Sequence, residues 1–191
     1  MKLEAVVMAA GLSRRMGTNK LLLKLGDKFI YEHILDTLAK GNFYRVHVVS
    51  SYDQVLAGAE KRNFNPIYND QNKDGRARSI VLATKAADPD SALAFFVADQ
   101  PLLTLGTIES LVKSFKERDL PTYPVYKNIK GNPVIFPKTY KEGLLALKGD
   151  QGGRVLLKDH PVNEVEISSC LELKDIDTRE DYEDIIKIYG K

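Results

Sequence analysis

At 191 residues, 43% hydrophobic and 28% charged, the chain has the size and balance of one soluble globular domain able to bury a proper core. Its net charge of +2 excludes a general nucleic-acid or membrane-surface binder, which would carry a large excess of one sign, so any basic feature must act locally. A single cysteine, Cys170, rules out an internal disulfide and a cysteine-ligated metal site and fits a reducing, cytoplasmic setting.

The N-terminal apolar run is short and is followed, not preceded, by arginines, which argues against a signal peptide. No stretch approaches the ~20 apolar residues of a membrane span. The run EAVVMA (residues 4–9) predicts a buried strand, as do YRVHVVS (44–50) and ALAFFVA (92–98), each rich in β-branched or aromatic residues and bounded by turn formers. Helical windows fall near residues 29–40, 53–62 and 78–87. After the third strand, Ile108, Leu111, Val112 and Phe115 share one helical face. This alternation predicts an α/β fold built on an open, wound, mostly parallel sheet, in a single domain over 1–191. Four of the eight prolines cluster between about 117 and 137, which predicts a small inserted β flap of edge strands and loops. Thr178 with Asp181 forms a capping-box pattern, and Tyr182, Ile185, Ile186 and Tyr189 repeat at helical spacing behind it, predicting a closing helix that packs back on the sheet.

Ligands of such sheets bind beyond the carboxyl ends of the strands, and three stretches lie there. The first, AAGLSRRMGTNKLLLKL (9–25), follows the first strand; Gly11 and Gly17 permit close backbone approach while Arg14, Arg15 and Lys20 supply positive charge, a combination suited to phosphate. Thr18 and Asn19 separate Gly17 from Lys20, so the Walker pattern is absent, and there is no dinucleotide fingerprint. A solvated basic loop is the plainer alternative. In the second, FFVADQPLL (95–103), Asp99 leaves the end of an apolar strand, a poor place for packing and a good one for a hard cation such as Mg²⁺; a turn-capping Asp is the alternative. In the third, LKDIDTREDY (173–182), Asp175 and Asp177 share a face, and Asp177 is either a second metal ligand or a partner of the helix dipole. His33, His47 and His160 lack partners at metal-ligand spacing.

The run MAAGLSRRMGTNKLLLKL resembles the signature of the nucleotidyltransferases that attach a nucleotide to the molybdenum cofactor, closest to the cytidylyltransferase type. The likeness continues in order through YNDQNKDGRARSI, VADQPLL, GNPVIFP, LKGDQGGRVLL and DIDTREDY. It implies a Rossmann-like three-layer sheet with helices on both faces, Mg²⁺ dependence, and transfer of a nucleoside monophosphate from CTP or another NTP to the terminal phosphate of molybdopterin with release of pyrophosphate. On that resemblance Ala9, Ala10, Gly11, Leu12 and Ser13 approach the nucleotide together with Gly75 and Ser79, Arg15 and Lys20 neutralise the leaving phosphates, and Asp99 and Asp177 hold the metal. Arg15, Lys20 and Asp99 form the expected catalytic set. Gly152, Gly153 and Arg154 are placed on the acceptor side. Ala10 at the loop start, where the guanylyl type tends to carry Gly, favours CTP.

The chain departs from the family pattern in places. Arg76 and Arg78 replace small residues and read first as solvent-facing, with contact to an anionic acceptor as the other reading; Arg179 stands where Pro is common. A guanylyltransferase, an enzyme acting on a sugar phosphate or other phosphorylated alcohol, and a non-catalytic nucleotide or cofactor carrier are the rival functions. A monomer is expected, with transient contact to a molybdoenzyme or its insertion chaperone implied by the family.

Overall fold

The computed structural model describes residues 1–191 apart from Leu12, Arg14, Arg15, residues 72–74 and Lys191. The first strand, β1 (Leu3–Ala9), is followed by a short hairpin, β2 (Lys24–Leu25) and β3 (Lys28–Phe29), and by α1 (Ile30–Ala39). Then come β4 (Arg45–Ser50), α2 (Asp53–Glu60), β5 (Asn65–Tyr68), α3 (Arg76–Ala86), β6 (Ala92–Val97) and α4 (Leu105–Arg118). The second half supplies β7 (Thr122–Tyr126), β8 (Ile129–Lys130), β9 (Val134–Phe136), α5 (Lys141–Leu145), β10 (Asn163–Glu166) and α6 (Arg179–Tyr189). The main sheet has the order β10-β7-β9-β6-β1-β4-β5, with β8 attached to β7. Strand β1 pairs in parallel with β4 and β6, and β4 with β5, whereas β9 runs antiparallel between β6 and β7.

The strands at the centre are apolar at successive positions because both faces are covered. Leu3, Ala5, Val7 and Ala9 of β1 pack on one face with Ile34 and Leu38 of α1, Leu111 and Phe115 of α4, and Ile185 of α6. Val6 of β1 and Phe95 of β6 pack on the other face with Ala77, Ile80 and Ala83 of α3 and Leu144 of α5. Fully burying each of the larger side chains contributes roughly 1.5–3 kcal/mol, so these two layers carry most of the drive to fold. The mostly parallel α/β architecture expected from the sequence is thus present. The Thr178 capping box also forms as expected: Thr178 Oγ1 accepts from the Asp181 amide at 3.1 Å while Asp181 Oδ2 accepts from the Thr178 amide at 2.8 Å. Among the described residues no helix is long and apolar enough to cross a membrane.

One expectation needs correction. The Pro-rich segment is not a flap; β7 and β9 extend the main sheet beyond β6, and β10 adds to β7 in parallel. Prolines fit there because some positions need only an acceptor. Pro124, which has no N–H, takes the Gly131 amide on its carbonyl at 2.9 Å.

At the amino ends of the central strands lies a buried polar pair. Glu4 and His47 are both fully buried, with Glu4 Oε2 2.5 Å from His47 Nε2. Asn65 Nδ2 sits 2.8 Å from His47 Nδ1 and donates to it, which leaves the ring proton on Nε2 to be donated to Glu4. The Asp88 amide donates to Glu4 Oε1 at 2.9 Å. Burial alone would raise the Glu4 pKa, but hydrogen bonds from His47, Ser91 and the Asp88 backbone outweigh it and hold the carboxyl below its usual range. Burial likewise holds His47 below its usual value and keeps it neutral.

Both groups release protons more readily in the folded chain than in the unfolded one. Their contribution is therefore complete above the unfolded pKa values, about 6.5 for His and about 4.3 for Glu, and is lost as pH falls through the lower folded values. Urea midpoints are expected to drop steadily from about pH 7 to about pH 4. Glu4→Ala, which leaves two buried donors without an acceptor, is expected to cost about 3 kcal/mol at neutral pH and to flatten that pH dependence.

Candidate active site

Strand order runs outward from β1 through β4 to β5 and then returns to place β6 on the other side of β1. The crevice beyond the carboxyl ends of β1 and β6 is where an open α/β sheet takes its ligand. A cleft of about 730 Å³ opens there. Ala9, Ala10, Gly11, Ser13 and Lys20 line it from the loop after β1, and Gly75, Arg76 and Ser79 from the start of α3. Its other walls carry Asp99, Asn132, Asp150, Asp175 and Asp177.

Lys20 is the centre of this arrangement. Asn19 Oδ1 accepts from the Leu21 amide at 3.1 Å and starts the 3-10 turn Lys20–Leu22. The Lys20 amide donates to Ser13 Oγ at 3.2 Å, and the Met16 amide to the Ser13 carbonyl at 2.9 Å, so the loop is closed on Ser13, which takes φ 47°. Lys20 is only 8% exposed. Its Nζ lies 2.5 Å from Asp99 Oδ2 and 2.9 Å from Asp177 Oδ1. Burial would favour a neutral amine, but the two carboxylates prevail and raise the Lys20 pKa, so the group remains an ammonium.

Asp99 follows directly from the end of β6. Its backbone carbonyl accepts the Ile176 amide at 3.1 Å, which brings the segment bearing Asp175 and Asp177 against it. Asp175 opens to solvent at the cleft, yet the surrounding protein strips part of its hydration and the Asp99 charge adds to the effect, so its carboxyl is pushed up to about 6. Among the described residues no three His, Cys, Asp or Glu side chains form a metal cage. The oxygens of Asp99 and Asp177 nevertheless converge on one cationic atom. Two carboxylates of this kind suit a hard divalent cation that draws its remaining ligands from phosphate and water.

The stretches around Gly75 and Gly149 meet. Gly75 caps α3 with φ 90° and ψ 177°, and the Ala77 amide donates to the Gly149 carbonyl at 3.0 Å. A Cβ on Gly75 would strike that same carbonyl and lie 2.7 Å from Asp150 Oδ1. Ser79 is buried and accepts the Asn69 side-chain amide at 3.0 Å, which leaves its own hydroxyl proton free for another acceptor.

Most of the expected residues are gathered by the fold, with three exceptions and two outside description. Gly152, Gly153 and Arg154 do not line the cleft. A Cβ on Gly153 would meet the Phe136 ring at 2.9 Å, so that glycine serves packing. Arg154 donates to the Gly131 carbonyl and lies 4.7 Å from the centre of the Tyr123 ring, which turns it away from direct acceptor contact. Leu12 and Arg15 fall outside the described residues. Arg76, read from the sequence as facing water, is exposed but lines the cleft, while Arg78 Nη2 sits 3.5 Å from Asp70 Oδ1. Sequence reasoning missed Asn132 and Asp150 as cleft residues; only their glycine neighbours, Gly131 and Gly149, marked those turns.

A parallel α/β sheet with a lysine bridging two carboxylates at its switch point defines a protein built to handle a polyphosphate nucleotide. The chain belongs to the family described as MobA-like NTP transferase domain, whose model matches residues 5–165, and is thereby a member of a nucleotidyltransferase family. It is 31% identical to purine catabolism protein PucB of Bacillus subtilis (strain 168), with 93% of each chain covered. It is similar to the crystal structure of Rv0371c from Mycobacterium tuberculosis H37Rv, with a TM-score of 0.88 at 25% identity and 97% of each chain covered. A manganese complex of that protein gives 0.83 at 22% identity over 97% of this chain and 98% of the other. Molybdopterin-guanine dinucleotide biosynthesis protein A of Archaeoglobus fulgidus shares the fold, with a TM-score of 0.77 at 16% identity over 98% of each chain.

Gly75→Ala is expected to cost about 1–3 kcal/mol from its positive φ alone, with further loss from the collision at Gly149. Urea denaturation checks this, and unchanged stability would show that the contact between the two loops yields easily.

Proposed function

We propose that the protein transfers CMP from CTP to the terminal phosphate of molybdopterin and releases pyrophosphate. The observation that carries the reading is the Lys20 ammonium held between Asp99 and Asp177, in a cleft whose neck is formed by Ala9, Ala10 and Gly11. In the reaction, an oxygen of the acceptor phosphate attacks the α-phosphorus of the nucleotide in line with the bridging oxygen, whose bond to phosphorus breaks as the electron pair departs on pyrophosphate. The attacking oxygen is already anionic. No general base and no covalent intermediate on the protein are required, and catalysis rests on positioning and charge.

Lys20 compensates the charge that gathers on the leaving pyrophosphate, a role Arg15 shares. The amides from Ala10 to Ser13, together with Gly75 and Ser79, orient the nucleotide. Asp99 and Asp177 would hold Mg²⁺, which supplies electrostatic stabilisation of the phosphate oxygens when bound. The name of the Archaeoglobus fulgidus protein, with molybdopterin in it, supports a pterin phosphate as the acceptor class. Asn132 and Asp150, on the cleft walls, are the residues placed to meet it. The base preference rests on Ala10, whose methyl narrows the neck where a glycine would leave room for a purine. Discrimination by such a shape is worth only about 1–3 kcal/mol.

Pyrophosphate release by the purified protein with Mg²⁺ and metal-loaded molybdopterin, run in parallel with CTP, GTP and ATP, is expected with CTP. Release with GTP instead would keep the chemistry and overturn the base assignment; silence with all three would favour a sugar phosphate acceptor or a carrier. Lys20→Ala and Asp99→Ala are each expected to lower turnover about 10²- to 10³-fold while the protein remains folded, and wild-type turnover by either would remove that residue from the reaction.

A further inference from the structure

Asp177 lies 78 residues from Asp99 in the chain, on a segment with little regular structure, yet the two carboxylates meet at one point. What fixes that segment is a set of contacts to the turn between β6 and α4. The Ile176 amide donates to the Asp99 carbonyl at 3.1 Å. Gln100 Nε2 donates to the Leu173 carbonyl at 3.0 Å, and Gln100 itself is 2% exposed. Glu172 Oε2 accepts both the Thr104 amide at 2.9 Å and the Thr104 hydroxyl at 2.7 Å. Positions 99, 100 and 104 thus face 176, 173 and 172 like the teeth of a short zip.

Glu172 is an unusual component. It is 7% exposed, and among the described residues it has no basic partner, although burying a carboxylate is expensive. Its compensation comes from α4. Thr104 is the N-cap of that helix, its hydroxyl oxygen taking the Thr107 amide at 3.2 Å, so Glu172 sits where the helix N-terminus favours negative charge. A 14-residue helix whose Ile108, Leu111 and Phe115 are buried in the core is a firm anchor. Downstream, the Asp177 amide donates to Asp181 Oδ2 at 3.2 Å, inside the cap of α6.

We propose that Glu172 is a positioning residue for the metal site: by fastening the segment 172–176 to the N-terminus of α4, with Gln100 as its second fastening, it holds Asp177 at the distance from Asp99 that a divalent cation requires. This rests on the metal-binding reading of Asp99 and Asp177 given above. Glu172 touches neither nucleotide nor metal and acts through Asp177 alone. Both donors from Thr104 go to one oxygen, so a glutamine amide oxygen can take both, and the function does not need the charge.

The test is Mn²⁺ titration into the purified protein with the free ion followed by electron paramagnetic resonance, alongside urea unfolding. Glu172→Ala is expected to weaken Mn²⁺ binding about 10- to 100-fold, as is usual when a partner of a metal ligand is removed, and Glu172→Gln to restore it to within about 2-fold of wild type. A folded Glu172→Ala protein with wild-type Mn²⁺ affinity would overturn the proposal. If that variant does not fold, Gln100→Met, which cuts the Leu173 bond, answers in its place: weakened Mn²⁺ binding supports the clamp and unchanged binding overturns it. Asp177→Asn separates the two readings. Loss of Mn²⁺ binding in Asp177→Asn with none in Glu172→Ala rejects the clamp and keeps the metal site, whereas unchanged binding in Asp177→Asn rejects the metal site and the clamp with it.

Discussion

A buried ammonium placed 2.5 Å from one carboxylate and 2.9 Å from another joins three pieces of chain that the sequence keeps far apart: the loop after β1, the end of β6 and the approach to α6. Lys20 and Asp177 are separated by 157 residues. Bringing them together means ordering everything between, and a single ion pair could not offset that entropy. The sheet does it instead. Two apolar layers set β1 beside β6, and the charges then meet as a consequence of the topology. Once they meet, each depends on the others, because a buried charge left without its partner is costly. The most strongly charged part of the site is therefore also the part with least freedom to rearrange.

The same strands carry polar groups at both ends, handled in opposite ways. At the amino ends Glu4 and His47 are fully buried and engaged with Asn65 and the Asp88 amide. At the carboxyl ends the carboxylates remain partly open, with the Asp99 side chain 19% and the Asp177 side chain 41% exposed. Groups that serve only the fold can be sealed. Groups that must meet a phosphate have to stay reachable, and a cleft lets them do so while its walls keep out enough water to strengthen their fields.

Much of this was legible in the chain. The runs at 4–9, 44–50 and 92–98 became β1, β4 and β6 because a strand covered on both faces is written as unbroken Val, Ala and Phe. Strand β5 carries no such signal: its four residues, Asn65–Tyr68, include a proline and are exposed at both ends. The strands β7 and β9 were misplaced for a related reason, since proline marks edges only when an N–H is needed, and Pro124 is used as an acceptor. Within the site, Lys20, Asp99 and Asp177 could be read by type and position. Asn132, Asp150 and the turning away of Arg154 could not, because they depend on which loop lies across which helix.

Gly75 shows where that boundary falls. Its neighbours Arg76 and Arg78 looked like the anomaly in that stretch, yet both are accommodated, one along the cleft and one beside Asp70. The strict demand is on the glycine, through a φ of 90° and a backbone carbonyl pressed against it by a loop more than seventy residues away. A side chain can bend away from a conflict by changing rotamer; a Cβ against a carbonyl cannot. The joint between α3 and the late glycine-rich loop thus fixes the far wall of the cleft as firmly as the ion pairs fix the near one. Between two such walls only the ligand needs to move, which is the preorganisation that phosphoryl transfer by charge and position demands.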